Sequence, residues 1–351
     1  MPERRSPADA EIAQEIPASS SREDRRRWML ALVVSVFAAP TCAGAQTRSR
    51  KPRIGVLSYP GTPSDADPDP RFAGFRQGLR ELGYLEGENI LVEVHDAKGQ
   101  TAQLAGQAAG LVQSNVDLIV AFSPQARQAA KKVTSSIPIV TVSGNDPVQE
   151  GWAQSIPFPS FNMTGFTVVR PESIRKSFEF LKEACPGLIR VAQFYEPVGV
   201  GDAEMMQLNA GARRLGAVLG LEFQVLEVGG SKDFDAAFSL ARQGEAQALF
   251  ATSLSYRSRL AELALRDRLP SISVFPQMTQ AGFLMSYGTD IFDLARRSAR
   301  HVDKILKGAW PGNVPIEQPD RFKLSINLKT ATALGISIPR SLLRRADEVI
   351  E

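Results

Sequence analysis

The 351 residues suffice for two ordinary domains, each able to bury its own core, and 43% hydrophobic with 23% charged residues is ordinary globular composition. A formal net charge of +3, with no dense Lys/Arg stretch in the globular part, argues against a nucleic-acid partner. Two histidines and two cysteines are too few for a His/Cys metal site, so no metal or other cofactor is expected.

In chain order, the first feature lies outside the fold. Arg25-Arg26-Arg27 precedes an apolar run from Trp28 to Ala39, and Ala43-Gly44-Ala45 follows. That is the layout of a secretory signal, with cleavage expected after Ala45, and residues 1–45 are assigned to it and its polar extension. The apolar run is short for a bilayer span, and a buried N-terminal helix would not end in an A-x-A site. Residues 1–24 are polar, which suits a later translation start, and Arg26-Arg27 also permits a twin-Arg route. Cys42 falls inside the signal, which leaves Cys185 without an intrachain partner. Lipidation of Cys42 is an alternative, in the poor context Ala39-Pro40-Thr41.

From residue 51 on, short β-branched runs alternate with segments of helical period, the pattern of an α/β protein with parallel sheets. Strands are predicted at Ile54–Ser58, Ile90–His95, Leu118–Phe122 and Ile139–Val142. Phe72, Phe75, Leu79 and Leu82 form a helical stripe between the first two, stopped by Gly83. The same events recur after residue 185, with strands at Arg190–Tyr195, Phe223–Val228, Ala248–Thr252 and Ser271–Phe275, and a stripe of Leu208, Ala212, Leu215 and Leu219. Arg53 to Pro60 aligns with Arg190 to Pro197, Gly78 and Gly83 with Gly211 and Gly216, Ala121-Phe122-Ser123 with Ala251-Thr252-Ser253, and Ile137-Pro138 with Leu269-Pro270. The offset drifts only from 137 to 130, so four strand–helix units are doubled in order.

Two Rossmann-like lobes follow, each with its ligand-facing edge at the carboxyl ends of its strands. Lobe 1 is expected to hold residues 51–165 and about 287–320, and lobe 2 residues 166–286 and about 321–351. Hinge crossings are expected near Met163–Thr167 and Met285–Gly288, and few crossings permit ligand-driven closure.

Several segments carry a resemblance. Gly83-Tyr84 with Gly87-Glu88-Asn89, Asp117-Leu118-Ile119-Val120, Asp146-Pro147-Val148, Ser286-Tyr287-Gly288, Asp303 to Gly308, Ile326 to Thr330 and Ala346 to Glu351 resemble the ABC-transporter substrate-binding family of the type I periplasmic binding fold. The resemblance spans residues 51 to 351. It implies an exported receptor for a small molecule, working with a membrane permease and its ATPase, and characterised relatives bind aromatic or branched amino acids. Two segments depart from it. Ser160-Phe161-Asn162-Met163-Thr164-Gly165 stands where the family reads Gly-Gly-Asn-x-Thr-Gly, and Ala251 to Tyr256 lacks an acidic residue that many members carry.

Loop ends on the first lobe offer Ser58, Tyr59, Ser123, Gln125, Asp146 and Pro147. Ser123-Pro124 reads as an N-cap with proline at the first helical position, and that helix start suits a ligand carboxylate; capping alone is the simpler reading. Asp146 could pair with a ligand ammonium or close an Asn-Asp-Pro turn on its own backbone. The second lobe offers Tyr195, Glu196, Ser253 and Phe275, with Tyr287 at the returning crossover. The aromatics would enclose a ligand or pack in the core or hinge. Arg296, Arg297 and Arg300 share a helix with apolar Ala295, Ala299, Val302 and Leu306, and read as a solvated face or a permease contact. Gly199-Val200-Gly201 lacks the third glycine of a dinucleotide fingerprint.

An exported hydrolase is the rival class. His95 lies in a strand and His301 on a helix, neither at a loop end, and no G-x-S-x-G elbow is present, so no enzyme is expected. A ligand sensor feeding a signalling partner uses the same fold and stays open. The expected protein is a periplasmic monomer that reaches the membrane only through its permease or through lipidation.

Overall fold

The computed structural model describes residues 50–59, 69–97, 100–144, 146–168, 171–197, 202–252 and 254–351. The expected signal segment, Cys42, Ser253 and Gly199-Val200-Gly201 lie outside these. Lys51–Glu351 is a compact unit of its own.

The first half runs β1 (Arg53–Ser58), α1 (Pro70–Glu81), β2 (Leu91–Asp96), α2 (Thr101–Gln113), β3 (Leu118–Ala121), α3 (Pro124–Val133), β4 (Ile139–Val142) and β5 (Met163–Phe166). The second runs α4 (Pro171–Ala184), β6 (Arg190–Tyr195), α5 (Asp202–Leu219), β7 (Glu222–Glu227), α6 (Phe234–Gln243), β8 (Ala248–Phe250), α7 (Arg257–Arg266), β9 (Ser271–Ser273), α8 (Pro276–Gln280) and β10 (Met285–Gly288). Then come α9 (Ile291–Leu306), β11 (Lys323–Asn327), α10 (Leu328–Leu334), α11 (Arg340–Leu343) and β12 (Glu348–Ile350).

Two separate sheets result, ordered β2-β1-β3-β4-β5 and β12-β11-β10-β9-β8-β6-β7. Read from the β7 end, the second sheet repeats the order of the first before adding β11 and β12. Register repeats as well: Ile54 pairs with Val92 and Leu118, and Val191 with Phe223 and Ala248. Within these repeated units every pairing is parallel, whereas β11 runs antiparallel to β10. The last strands also match: a side chain at Gly165 on β5 would strike the backbone of Thr141, and one at Gly288 on β10 the backbone of Val274.

The predicted strands stand within a residue or two of those observed. β3, β8 and β9 end earlier than the sequence suggests, because Phe122, Thr252 and Phe275 already belong to the loops that leave the sheet edge; Phe275 takes the N-cap position of α8. Phe75 and Leu79 are buried as expected, but Leu82 is the C-cap residue of α1 and is exposed. Gly83 ends that helix with φ 82°. Its repeat partner Gly216 lies inside α5, which runs on to Leu219 before Gly220 (φ 64°) stops it.

The chain returns from the second sheet to the first through α9. Gly74 and Gly78 give α1 a bare stripe, and a Cβ at either would collide with the backbone carbonyls of Phe292 or Arg296. Tyr84 Oη donates to Asp303 Oδ1 at 2.9 Å across the same contact. Gly211, the repeat partner of Gly78, has open space beside it. Ala295, Ala299 and Val302 are buried, while Arg296 pairs with Glu81 and Asp293, and Arg297 with Glu317 and Asp320.

Beyond α9, the segment around Glu317 lies along β5: Glu317 N donates to Gly165 O at 2.9 Å, and Thr167 N to Glu317 O at 3.0 Å. His301, only 1% exposed, stacks edge-on against Phe166 at 5.1 Å. Its Nε2 bonds Pro315 O at 3.2 Å, and its Nδ1 is buried without a hydrogen-bond partner. Burial holds the His301 pKa below the usual imidazole range; Lys304 and Arg297 add to this, and Glu317 opposes it.

Two outcomes follow from these contacts. Gly78→Val forces a side chain between two helix backbones and lowers stability by about 1–3 kcal/mol, read as a loss of Tm. Because folded His301 resists protonation while the unfolded chain takes up the proton near pH ~6.5, stability falls as pH drops from about 7 to 5. In urea titrations at the two pH values, His301→Leu shows a smaller difference than the parent.

Candidate functional site

In both halves the central strand is the first of its repeat, with the second strand on one side and the third on the other. The connections diverge at its carboxyl end and leave a crevice there. In the first sheet this crevice is bordered by Ser58 and Tyr59 after β1 and by Ser123 after β3; in the second it is bordered by Tyr195 and Glu196 at the end of β6 and by residues 251–252 after β8.

The two edges face each other. Gln125 Nε2, on α3, donates to the carbonyl of Pro197 at 3.1 Å. Tyr59 is buried and accepts a long bond from Thr101 Oγ1 at 3.4 Å. Burial raises the Tyr59 pKa, and the charge of Glu196 from the opposite edge adds to that. Glu196 and Tyr195 are half-buried.

Ser123 acts as the expected cap: its Oγ accepts from Ala126 N at 3.0 Å, with Pro124 at the first helical position. Asp146 adopts the turn reading, Oδ1 accepting from Val148 N at 2.9 Å and Gln149 N at 3.1 Å. Pro147 is buried, and its carbonyl accepts from Trp152 N and Ala153 N. Phe275 is buried at the start of α8. Tyr287, part-exposed at the carboxyl end of β10, packs its ring on Phe180 at 5.1 Å and Phe322 at 5.9 Å and so braces β10 against α4.

Sequence reasoning missed the charged groups that support the first edge. Arg127, only 4% exposed, pairs with Glu150 at 2.8 Å, donates to Ser143 Oγ at 3.2 Å and lies over the Trp152 ring. Trp152 Nε1 donates to the same Glu150 oxygen at 3.0 Å. Together they clamp the loop that carries Asp146. Desolvation lowers the Arg127 pKa, and Glu150 works against that. Arg71, on the first turn of α1, pairs with the N-cap Asp69 at 2.9 Å and donates to the carbonyl of Phe122. The legible signal was position: Arg127 lies one turn after the Ser123 cap, on the buried side of its helix.

A cavity of about 470 Å³ opens beside this crevice, with Asp69, Pro70, Ala73 and Phe292 on one wall and Arg257, Ser258 and Gln277 on the other. Its walls come from the helix starts that follow strand ends in both halves, so its width depends on how the halves close. None of the residues chosen from the sequence lines it. Among the described residues, no group of three or more His, Cys, Asp or Glu is placed to hold a metal ion, and no helix is long and apolar enough to cross a membrane. Burial pushes the Cys185 thiol up to about 11, which keeps it protonated and unreactive.

A family model for ABC transporter substrate-binding proteins matches residues 65–350. The chain belongs to this family. The family is one of substrate-binding proteins. A tyrosine-binding protein of Clostridioides difficile (strain R20291) is 25% identical over 298 residues, covering 83% of each chain. Among solved structures, a conserved domain protein of Vibrio cholerae superposes with a TM-score of 0.77 at 24% identity, covering 86% of this chain and all of its own. An ABC domain from Streptococcus pneumonia in complex with L-Trp gives 0.75 at 23% identity, with the same coverage. These likenesses establish the bilobal α/β fold of periplasmic binding proteins.

The clamp under the first edge is testable. Arg127→Met leaves the solvent-reached Glu150 and the Ser143 hydroxyl without their buried partner and costs about 1–3 kcal/mol by urea denaturation. Joint replacement with Glu150→Leu recovers most of that loss.

Proposed function

We propose that this family member is an exported receptor that captures an amino acid between its two lobes and delivers it to an ABC importer. One observation carries the reading: two equivalent sheet edges, one per lobe, meet where Gln125 of one bonds the carbonyl of Pro197 on the other. The tyrosine and L-tryptophan named for the relatives favour an aromatic amino acid. In this reading the lobes are 51–165 with about 287–320, and 166–286 with about 321–351, while residues 1–45 are removed on export to the periplasm.

Roles follow from chemistry. At the start of α3, Pro124 has no N–H and the Ser123 cap already takes that of Ala126, which leaves the Gln125 N–H to meet the ligand carboxylate. Glu196 supplies the negative charge for the ammonium, with Asp146, on the first lobe, as a second carboxylate. Tyr59, Tyr195 and Phe275 give an apolar enclosure with polar tips, and Ser58, Gln125 and Ser253 complete the polar set. Pro147 shapes the loop, and Tyr287 stiffens the crossover. Binding needs no bond to be made or broken, so closure rests on contacts that exist only when both edges touch the ligand. Permease and ATPase then act on the closed monomer.

Isothermal titration of the chain from Gln46 onward against aromatic, branched and polar amino acids and organic acids tests this. Tyrosine or tryptophan is expected to bind best. Glu196→Gln should weaken that amino acid at least tenfold while leaving its des-amino analogue unchanged. No heat with any amino acid would end the proposal.

A further inference from the structure

The segment that departs from the family pattern, Ser160-Phe161-Asn162, contributes nothing to the crevice. It precedes β5 at that strand's amino end, on the sheet edge opposite the one that carries Tyr59 and Gln125. Here Phe158 is 66% exposed and Phe161 42%, and Trp310, just past the end of α9, is 46% exposed. Isolated apolar residues on a surface are ordinary, but three large aromatics together are not.

They form one built patch. Ser160 N donates to Gly312 O at 3.2 Å and Ile316 N to Ile156 O at 2.9 Å, which sews the two loops together. The position a Gly312 Cβ would take is 2.9 Å from Trp310 Nε1 and 3.0 Å from the backbone carbonyl of Phe161, so the indole lies beside the chain that carries Phe161. Ser160 holds φ 67°, a left-handed conformation uncommon for a residue with a side chain, and it turns the chain between Phe158 and Phe161. Its Oγ donates to Phe158 O at 3.2 Å.

The rim of the patch is basic. Lys131 lies 6.0 Å from the Phe161 ring centroid and donates to Gly151 O, and Lys132 beside it is exposed. Lys304 and Lys307 are exposed on the last turn of α9 and just beyond it, leading into Trp310. The nearby carboxylates are already engaged, Glu150 with Arg127 and Asp303 with Lys307 and Tyr84. A second copy of the chain would bring lysines against lysines. An anionic bilayer surface would accept both features, since aromatic rings settle at the headgroup level and lysines are drawn to acidic lipid.

We propose that the Phe158–Phe161–Trp310 patch docks reversibly on an anionic membrane surface. The chain from Gln46 onward carries two tryptophans, buried Trp152 and exposed Trp310, so Trp310 reports contact directly. With vesicles of phosphatidylcholine containing phosphatidylglycerol, co-sedimentation and a blue shift of tryptophan emission are expected. Both should weaken at least tenfold from 50 to 500 mM salt, through screening of the lysines. Phe158→Ser with Phe161→Ser, and separately Lys131→Gln with Lys132→Gln, should abolish binding with circular dichroism and ligand titration unchanged. Equal binding to pure phosphatidylcholine, retention of binding in both variants, or no binding to acidic vesicles would overturn the proposal. Self-association that disappears in the phenylalanine variant, without vesicle binding, would do so in favour of a second copy.

Discussion

The architecture depends on one close passage. After completing β10, the last strand of the second repeat, the chain must come back to the first, and α9 does so by lying directly on α1. Side chains between the two backbones would push them apart, so Gly74 and Gly78 leave that surface bare. With α9 seated, Glu317 is drawn along β5 and His301 is sealed over Phe166. The crossings between the halves therefore rest against a rigid first lobe.

That rigidity lets a few contacts matter at the crevice. Each sheet ends there in loops whose backbone groups cannot all be satisfied by strand pairing, and these are supplied by caps such as Ser123 and Asp69 or left for a ligand. Below the first edge, the buried Arg127 reaches out to Glu150 at the surface, and any loop position that parted them would leave the guanidinium desolvated without its partner. The loop bearing Asp146 is consequently fixed before a ligand arrives, and less ordering entropy remains to be lost on binding.

The two halves repeat their strands but not their uses. Gly78 meets a helix and Gly211 meets nothing; Gly83 stops a helix and Gly216 lies inside one. The aromatic patch belongs to the first half alone, where a loop rather than a strand reaches the far edge. Duplication supplied a common frame, and each copy then carried changes where its surroundings differed.

Strand order and register came only with the sheets. The positions of most parallel strands and their doubling were legible in the residues, because alternating β-branched runs, helical stripes and their recurrence at an offset near 137 to 130 are local patterns. So were the Ser123 cap and the turn at Asp146, which depend on neighbours a few residues away. The placement of Tyr287 against Phe180 and Phe322, the pairing of buried Arg127 with Glu150, and the approach of Trp310 to the backbone at Phe161 were not. Each joins residues far apart in the chain, and only packing of the finished lobes decides which face of a strand or helix they share.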